Sequence, residues 1–390
     1  MTSLDSDLMT DILKHCFPKA ENIKIIRNIL EDDSLSLHFT SSVTQLVVEY
    51  EQDHKIHQKK LIIKVPTSTP TFAIFESLNF FKREIGMYEK VIPRMNKYLD
   101  KTLAPAHLYT TDSQILVLED LIARGFESGE KFQLLDLHQT KSGMKALSHF
   151  HAASHKLHLE DPNILDDLFT IHLGILEFRK KIINWGPIVL ELLRRKNETH
   201  LIGIVEAAIT FLKKDDDAMR AFLDRSKFKF LALNHGDARK VNFLYKYTSS
   251  SQVEAQLVDF QLSLWSSPLL DIIYFLISSA SLNLIEFHFD DLINEYLDEL
   301  NEKLIKINCP STYTRSDFDT DLKALRFYLI YSVILSCSDV SPIDQKLIED
   351  VFILAKADIK CLYDACLNDA KFVNIMHGRL KFCEKIFNNF

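Results

Sequence analysis

The period of the hydrophobic positions changes near residue 120. Over Leu4–Phe17 apolar residues recur at helical spacing, whereas Ile23–Leu30 and Ser41–Tyr50 are dense in Ile, Val and Leu, as strands are. Asp53–Lys60 reads as a polar connection, and Leu61–Val65 as a short strand stopped by Pro66. From about Thr71 to Leu99, Ile74, Leu78, Phe81, Ile85, Tyr88 and Ile92 alternate by four and three, which predicts a long helix broken only at Gly86 and Pro93. His107–Thr110 and Ile115–Leu118 predict a hairpin about Thr111-Asp112-Ser113, running into Glu119-Asp120-Leu121. Beyond Leu134 the spacing is mostly helical, as over Lys141–His158, Leu190–Leu212 and everything after Pro268 except a loop at Cys309–Ser316. Only Lys227–Leu264 alternates strand-like runs with loops. The pattern predicts an α+β chain: a strand-rich N-terminal lobe over 1–120, and a larger, mostly helical lobe over 121–390 that carries one strand–loop insertion.

Composition narrows the class. A chain of 390 residues with 47% hydrophobic content exceeds one comfortable core, in keeping with two lobes. The net charge of −8, without a long basic block, argues against a nucleic-acid partner. The acidic start MTSLDSDLMT has no basic segment followed by an apolar one, and the longest apolar run, Phe327–Cys337, is about half of the roughly 20 residues that a membrane span needs. A cytoplasmic protein with no membrane span is expected. The six cysteines contain no C-x-x-C, which predicts buried reduced thiols rather than a metal site or disulfide framework. None of the nine glycines falls at G-x-G spacing and no G-x-x-x-x-G-K-[ST] occurs, so dinucleotide folds, P-loops and glycine-rich kinase loops are excluded.

The polar chemistry gathers in the insertion. His235-Gly236-Asp237 is followed five residues later by Asn242, and Val258-Asp259-Phe260 comes after an apolar run, Asp259 lying 17 residues beyond Asn242. Phosphoryl transfer needs these types: an Asp to take the acceptor hydroxyl proton, and an Asn oxygen with a second Asp to hold Mg²⁺ against the phosphates. Asp and Asn are also ordinary turn residues, so it is their order that carries the signal. Upstream, Lys64 interrupts an apolar strand and Glu84 sits in the helix that follows, the pair by which a kinase fixes its phosphate-binding lysine. Glu119-Asp120-Leu121 ends a strand whose backbone suits adenine. Asp271, opening a very apolar helix after Ser267-Pro268, reads as support for the Asp237 loop.

With these pieces in order, the sequence resembles the ecdysteroid-kinase-like proteins, which stand with choline kinases and aminoglycoside phosphotransferases in the bilobal protein-kinase-like fold. Leu233-Asn-His-Gly-Asp237, Val258-Asp-Phe-Gln261, Ser267-Pro-x-x-Asp271, Phe81-x-x-Glu84-x-x-x-Tyr88 and the helix Leu147-Ser-His-Phe-His151-Ala-Ala-Ser154 carry the resemblance over nearly the whole chain. It implies an ATP- and Mg²⁺-dependent kinase acting on a hydroxyl of an ecdysteroid-like or other lipophilic alcohol. Asp237 would be the catalytic base. Asn242 and Asp259 would be metal ligands. Lys64, Glu84, Ser41, Glu119, Asp120 and Leu121 would form the nucleotide site, with His235 and Asp271 as braces. Two departures favour an alternative, a non-catalytic relative that binds a ligand or protein. Ala238, Arg239 and Val241 replace the Leu, Trp and first Asn of H-G-D-L-W-x-N-N, and Ser36 stands at a glycine position of the nucleotide loop while Ser41 is kept. Arg239 and Lys240 read equally as phosphate binders or as solvent-facing charges.

Overall fold

The structure is a computed structural model describing residues 6–30, 41–66, 79–111, 114–129, 133–166, 185–214, 217, 219–220, 223–249, 252–343 and 359–389. The chain divides into two compact units, one of Met1–Pro93 with Ala104–Glu127, the other of Arg94–Leu103 with Ser128–Phe390.

The first unit is built on five antiparallel strands: β1 (Glu21–Leu30), β2 (Ser41–Gln52), β3 (Lys55–Pro66), β4 (His107–Thr111) and β5 (Ile115–Glu119), in the order β1-β2-β3-β5-β4. β2 and β3 pair along their whole length about Asp53 and His54, both at positive φ (52° and 59°), the backbone a two-residue hairpin turn requires. Asp53–Lys60 is therefore a tight turn plus the exposed half of β3, not a polar connection: a strand held by its partner's backbone needs no buried side chains at its outer end. Leu46, Val48, Leu61, Ile63, Ile115 and Val117 turn one face inward, where the helix α1 (Ser6–Cys16) lays Met9, Ile12 and Leu13 against them. By strand alternation Lys64 belongs to the other face.

Of the expected long helix, Ile74 and Leu78 lie outside the described residues. Phe80–Tyr98 is helical, with one π turn at Met87–Val91 that absorbs Gly86, and Phe81, Ile85, Tyr88 and Ile92 are buried.

In the second unit the helix Leu137–Glu160 is started by a full capping box from Asp136 and Gln139, and it buries Leu147, Phe150, His151 and Ser154. The helix Leu269–Ser279 is buried at every position, which makes it the centre of the core. Leu190–Leu212 is not one helix. A helix over 185–195 ends near Asn197, whose φ of 58° reverses the chain before Thr199–Leu212. Further helices follow at Phe289–Lys306, Arg315–Ala324, Arg326–Leu335, Cys337–Val340, Ile359–Asn368 and Ala370–Phe387. All six cysteines are free: four are buried and Cys16 is half-buried, whereas Cys361 is exposed, against expectation, because its helix turns that position to solvent. Among the described residues no helix is long and apolar enough to cross a membrane, and no group of three metal-ligating side chains occurs.

Candidate active site

Two short antiparallel ladders put the insertion's chemistry in one place. Ala232–Asn234 pairs with Leu264–Ser266, and Phe243–Tyr247 with Val253–Leu257. Asn234 therefore stands opposite Leu264, and Phe243 opposite Leu257, so the loops 235–242 and 258–263 are clamped at both ends and face each other. Cross-links complete the clamp. The Val258 N–H donates to the Asn242 carbonyl (3.0 Å), the Ser263 hydroxyl to the His235 carbonyl (3.4 Å), and His235 Nε2 to the Val258 carbonyl (2.8 Å). Beneath them Phe260, fully buried, lies between the rings of Phe150 and His235.

Gly236 sits at φ 82°, and a Cβ there would come within 2.0 Å of the Leu262 carbonyl oxygen, so only glycine makes this bend. Asp271 holds it. Its Oδ2 accepts the His235 N–H (2.5 Å) and its Oδ1 the Gly236 N–H (2.9 Å), while His151 Nε2 donates to Oδ2 (3.1 Å) and the Tyr296 hydroxyl reaches His151 Nδ1 (2.8 Å). The Asn234 side-chain oxygen accepts the Asp271 N–H (3.2 Å). His235 and Asp271 thus tie the loop to Val258 and to the first turn of the helix Leu269–Ser279. Sequence reasoning missed His151 and Asn234 as members of this brace, although both sit inside the motifs that carry the resemblance.

Asp237 is nearly buried, and its Oδ2 takes two donors, Asn242 Nδ2 (2.9 Å) and Arg239 Nε (3.1 Å). Its Oδ1 has no protein partner among the described residues. Asn242 also donates Nδ2 to the Asp237 carbonyl (2.9 Å), which leaves its side-chain oxygen outward from that contact. Asp259 is held in the left-handed region (φ 70°, ψ 64°), a conformation that Asp tolerates but that costs free energy, and Gln261 Nε2 reaches its Oδ2 (3.2 Å). An amide oxygen and a carboxylate are hard oxygen donors of the kind Mg²⁺ uses when phosphates supply the rest, so the residues present fit that ion.

Arg239 and Lys240 are neither solvent-facing nor free to bind phosphate. Arg239 is folded in between Asp237 and Asp339, whose Oδ1 accepts from Nη1 at 2.7 Å. Burial opposes its charge, but those two carboxylates outweigh it and raise the guanidinium well above its ordinary value. Lys240 is buried, and its ammonium donates to the Gln133 carbonyl (2.7 Å). Three buried tyrosines feel Asp237: the phenols of Tyr274, Tyr328 and Tyr331 are raised by burial first, and the nearby carboxylate adds to this in each. The Tyr328 and Tyr331 rings stack at 5.2 Å.

In the first unit Lys64 and Glu84 form a buried pair, Nζ reaching both carboxylate oxygens at 2.7 and 2.9 Å. Asp120, Glu119 and Leu121 close the sheet. The Asp120 carboxylate accepts from Gln45 Nε2 (2.7 Å) and the Ile122 N–H (2.8 Å), Glu119 pairs with Arg124, and the Leu121 carbonyl takes the Arg124 and Phe126 N–H groups. Ser36 and the Ser41 side chain lie outside the described residues, although Ser41 itself opens β2.

A loop carrying Asp237 and Asn242 opposite Asp259, on a chain that also buries a strand lysine, Lys64, against a helix glutamate, Glu84, has the composition of a protein-kinase-like phosphotransferase. The chain belongs to the ecdysteroid kinase-like family, whose model matches residues 37–309. The α+β, protein-kinase-like fold class and the enzyme class, a phosphotransferase with an alcohol group as acceptor, stand with that membership. No curated protein matches the chain. Among solved structures it is similar to the GDP complex of aminoglycoside 2'-phosphotransferase-IIIa (14% identity, TM-score 0.48, 99% of this chain and 100% of that one). It is also similar to an ethanolamine kinase of Plasmodium vivax (14%, 0.42, 95% and 83%) and to the gentamicin complex of APH(2'')-IIa (12%, 0.42, 93% and 99%).

Proposed function

We propose that the protein is an ATP- and Mg²⁺-dependent small-molecule kinase that phosphorylates a hydroxyl of an ecdysteroid-like or other lipophilic alcohol in the cytoplasm. The observation that carries this reading is the state of Asp237: one carboxylate oxygen is fixed by Asn242 and Arg239, and the other is left to accept a proton. In the step proposed, the acceptor hydroxyl oxygen bonds to the γ-phosphorus as the bond from that phosphorus to the β,γ-bridging oxygen breaks. ADP leaves with the electron pair, and the hydroxyl proton passes to Asp237 Oδ1. Asn242 and Asp259 hold the Mg²⁺, which when bound offsets charge on the β- and γ-phosphates. Lys64, fixed by Glu84, takes the α- and β-phosphates, and the backbone of Glu119–Leu121, with Ser41, serves the rest of the nucleotide. Catalysis is then positioning and electrostatics, with no covalent enzyme intermediate.

The acceptor class is supported by the family. A mass-spectrometric screen of hydroxylated steroids and other lipophilic alcohols with ATP and Mg²⁺ tests the reading, alongside calorimetry of ATP. Mg²⁺-dependent ATP binding and a product heavier by one phosphate are expected. ATP binding without any product across the screen would move the acceptor elsewhere, and no Mg²⁺-dependent ATP binding would favour the non-catalytic reading.

A further inference from the structure

Asp339 lies in the short helix Cys337–Val340, 100 residues along the chain from Arg239, and no sequence motif points to it. Its side chain is 7% exposed. Oδ1 accepts from Arg239 Nη1 at 2.7 Å, and Oδ2 is buried without a hydrogen-bond partner. Behind it stands Arg379, wholly buried, with Nη1 donating to the Ser336 hydroxyl (2.9 Å), Nη2 to the Ser278 carbonyl (2.7 Å), and Nε unpartnered. Burial lowers that guanidinium to about 10, and Asp339 is the first of the charges that hold it up. Asp237, Arg239, Asp339 and Arg379 therefore alternate in sign from the catalytic loop to the C-terminal helix Ala370–Phe387.

We propose that Asp339 is a positioning residue for phosphoryl transfer, acting through Arg239 on Asp237, an inference that rests on the kinase reading above. Arg239 touches Asp237 through Nε alone, and a guanidinium held at one point is free to turn about its long side chain. The shorter bond from Nη1 to Asp339 fixes the other end of the planar fork. With the fork fixed, Nε and Asn242 Nδ2 occupy the same oxygen of Asp237, so the carboxylate plane is set and Oδ1 is the atom offered to the acceptor hydroxyl. The burial of Asp339 suits it to hold the arginine, since an exposed carboxylate would share its charge with water and let the guanidinium go.

The test compares wild type with Asp339→Asn, Arg239→Gln, Arg239→Lys and the double variant Arg239→Gln/Asp339→Asn, which leaves no stranded charge between the two sites. Loss of placement at a reacting group costs up to about 100-fold, so kcat should fall about 100-fold in Arg239→Gln and about tenfold in Asp339→Asn, with KM for ATP within about twofold of wild type. Because Asp339 acts only through Arg239, the double variant should be no slower than Arg239→Gln alone. A second readout needs no turnover: the NMR cross-peak of the Arg239 Nε–H, identified by its loss in Arg239→Lys, should be sharp in wild type and broadened in Asp339→Asn. Asp339→Asn lowering kcat by the same factor in both backgrounds would overturn the inference, as would an unchanged kcat and cross-peak. A wild type without transfer activity removes the kinase reading and this inference with it; an active wild type with an unaltered Asp339→Asn removes the inference alone.

Discussion

Replacing Asp271 by Asn asks whether the catalytic loop is held by one carboxylate. Asp271 is 1% exposed and receives three donors, the His235 and Gly236 N–H groups at 2.5 and 2.9 Å and His151 Nε2 at 3.1 Å. Asn keeps the volume but offers one oxygen, so its NH₂ group must face a backbone N–H that has no other acceptor. Each hydrogen bond to a charged group contributes about 1.5–3 kcal/mol, and a buried donor left unmade costs about as much again. Losing one to two such bonds gives about 3–5 kcal/mol of destabilisation, comparable to breaking a buried pair. At about 2–4 °C per kcal/mol for a unit this size, the melting temperature of the second unit should drop by roughly 6–20 °C. Asp237 follows Gly236 directly, so kcat should fall by about 100-fold even at temperatures where the variant is folded. Thermal unfolding by circular dichroism and phosphoryl transfer measured well below the melting point check both. A variant that melts within 1 °C of wild type and turns over normally would refute the reasoning.

The remaining predictions concern the other supports. Glu84→Ala breaks a buried ion pair and should cost about 3–5 kcal/mol, whereas the double change Lys64→Met/Glu84→Leu should restore stability in denaturant titration yet bind ATP at least tenfold more weakly by calorimetry. Gly236→Ala places a methyl against the Leu262 carbonyl at a φ that alanine resists, so transfer activity should be lost to the limit of an ADP-release assay, with far smaller loss at the open helical site Gly203→Ala. His155 is held below its ordinary value of 6.5, by burial first, with the Leu231 carbonyl pulling the other way. A depressed folded-state imidazolium means that the unfolded chain binds the extra proton. Its contribution is fully present above pH 6.5 and declines as pH falls below it. Melting temperatures taken from pH 7 to 5 should therefore decline, and His155→Gln should flatten part of that slope.

What was legible in the sequence was whatever is written locally. Strand β3 with Lys64, the helix with Glu84, and the order Asp237, Asn242, Asp259 could be read because each needs only its own neighbours and a spacing. The brace from Asp271 was legible too, since a carboxylate in the first turn of so apolar a helix has few other uses. What escaped depends on distant pairing. The outer half of β3 looked like a loop because Lys55–Lys60 bury nothing, and only the ladder to β2 keeps them extended. Asn197 broke an otherwise continuous helical pattern through one left-handed residue. Arg239 gave two readings, and both missed its place between two carboxylates, because Asp339 lies 100 residues away among residues of no recognisable motif.

The central claim is that Asp237 takes the proton of an alcohol while the γ-phosphoryl group of ATP is transferred to it. The most direct measurement is transfer of ³²P from γ-labelled ATP to the alcohol selected by the screen, with wild type and Asp237→Ala compared at saturating Mg²⁺. The account predicts labelled product with wild type, and at least about 100-fold less with Asp237→Ala at unchanged ATP affinity. Equal product from the two proteins, or none from wild type with any alcohol, would contradict it.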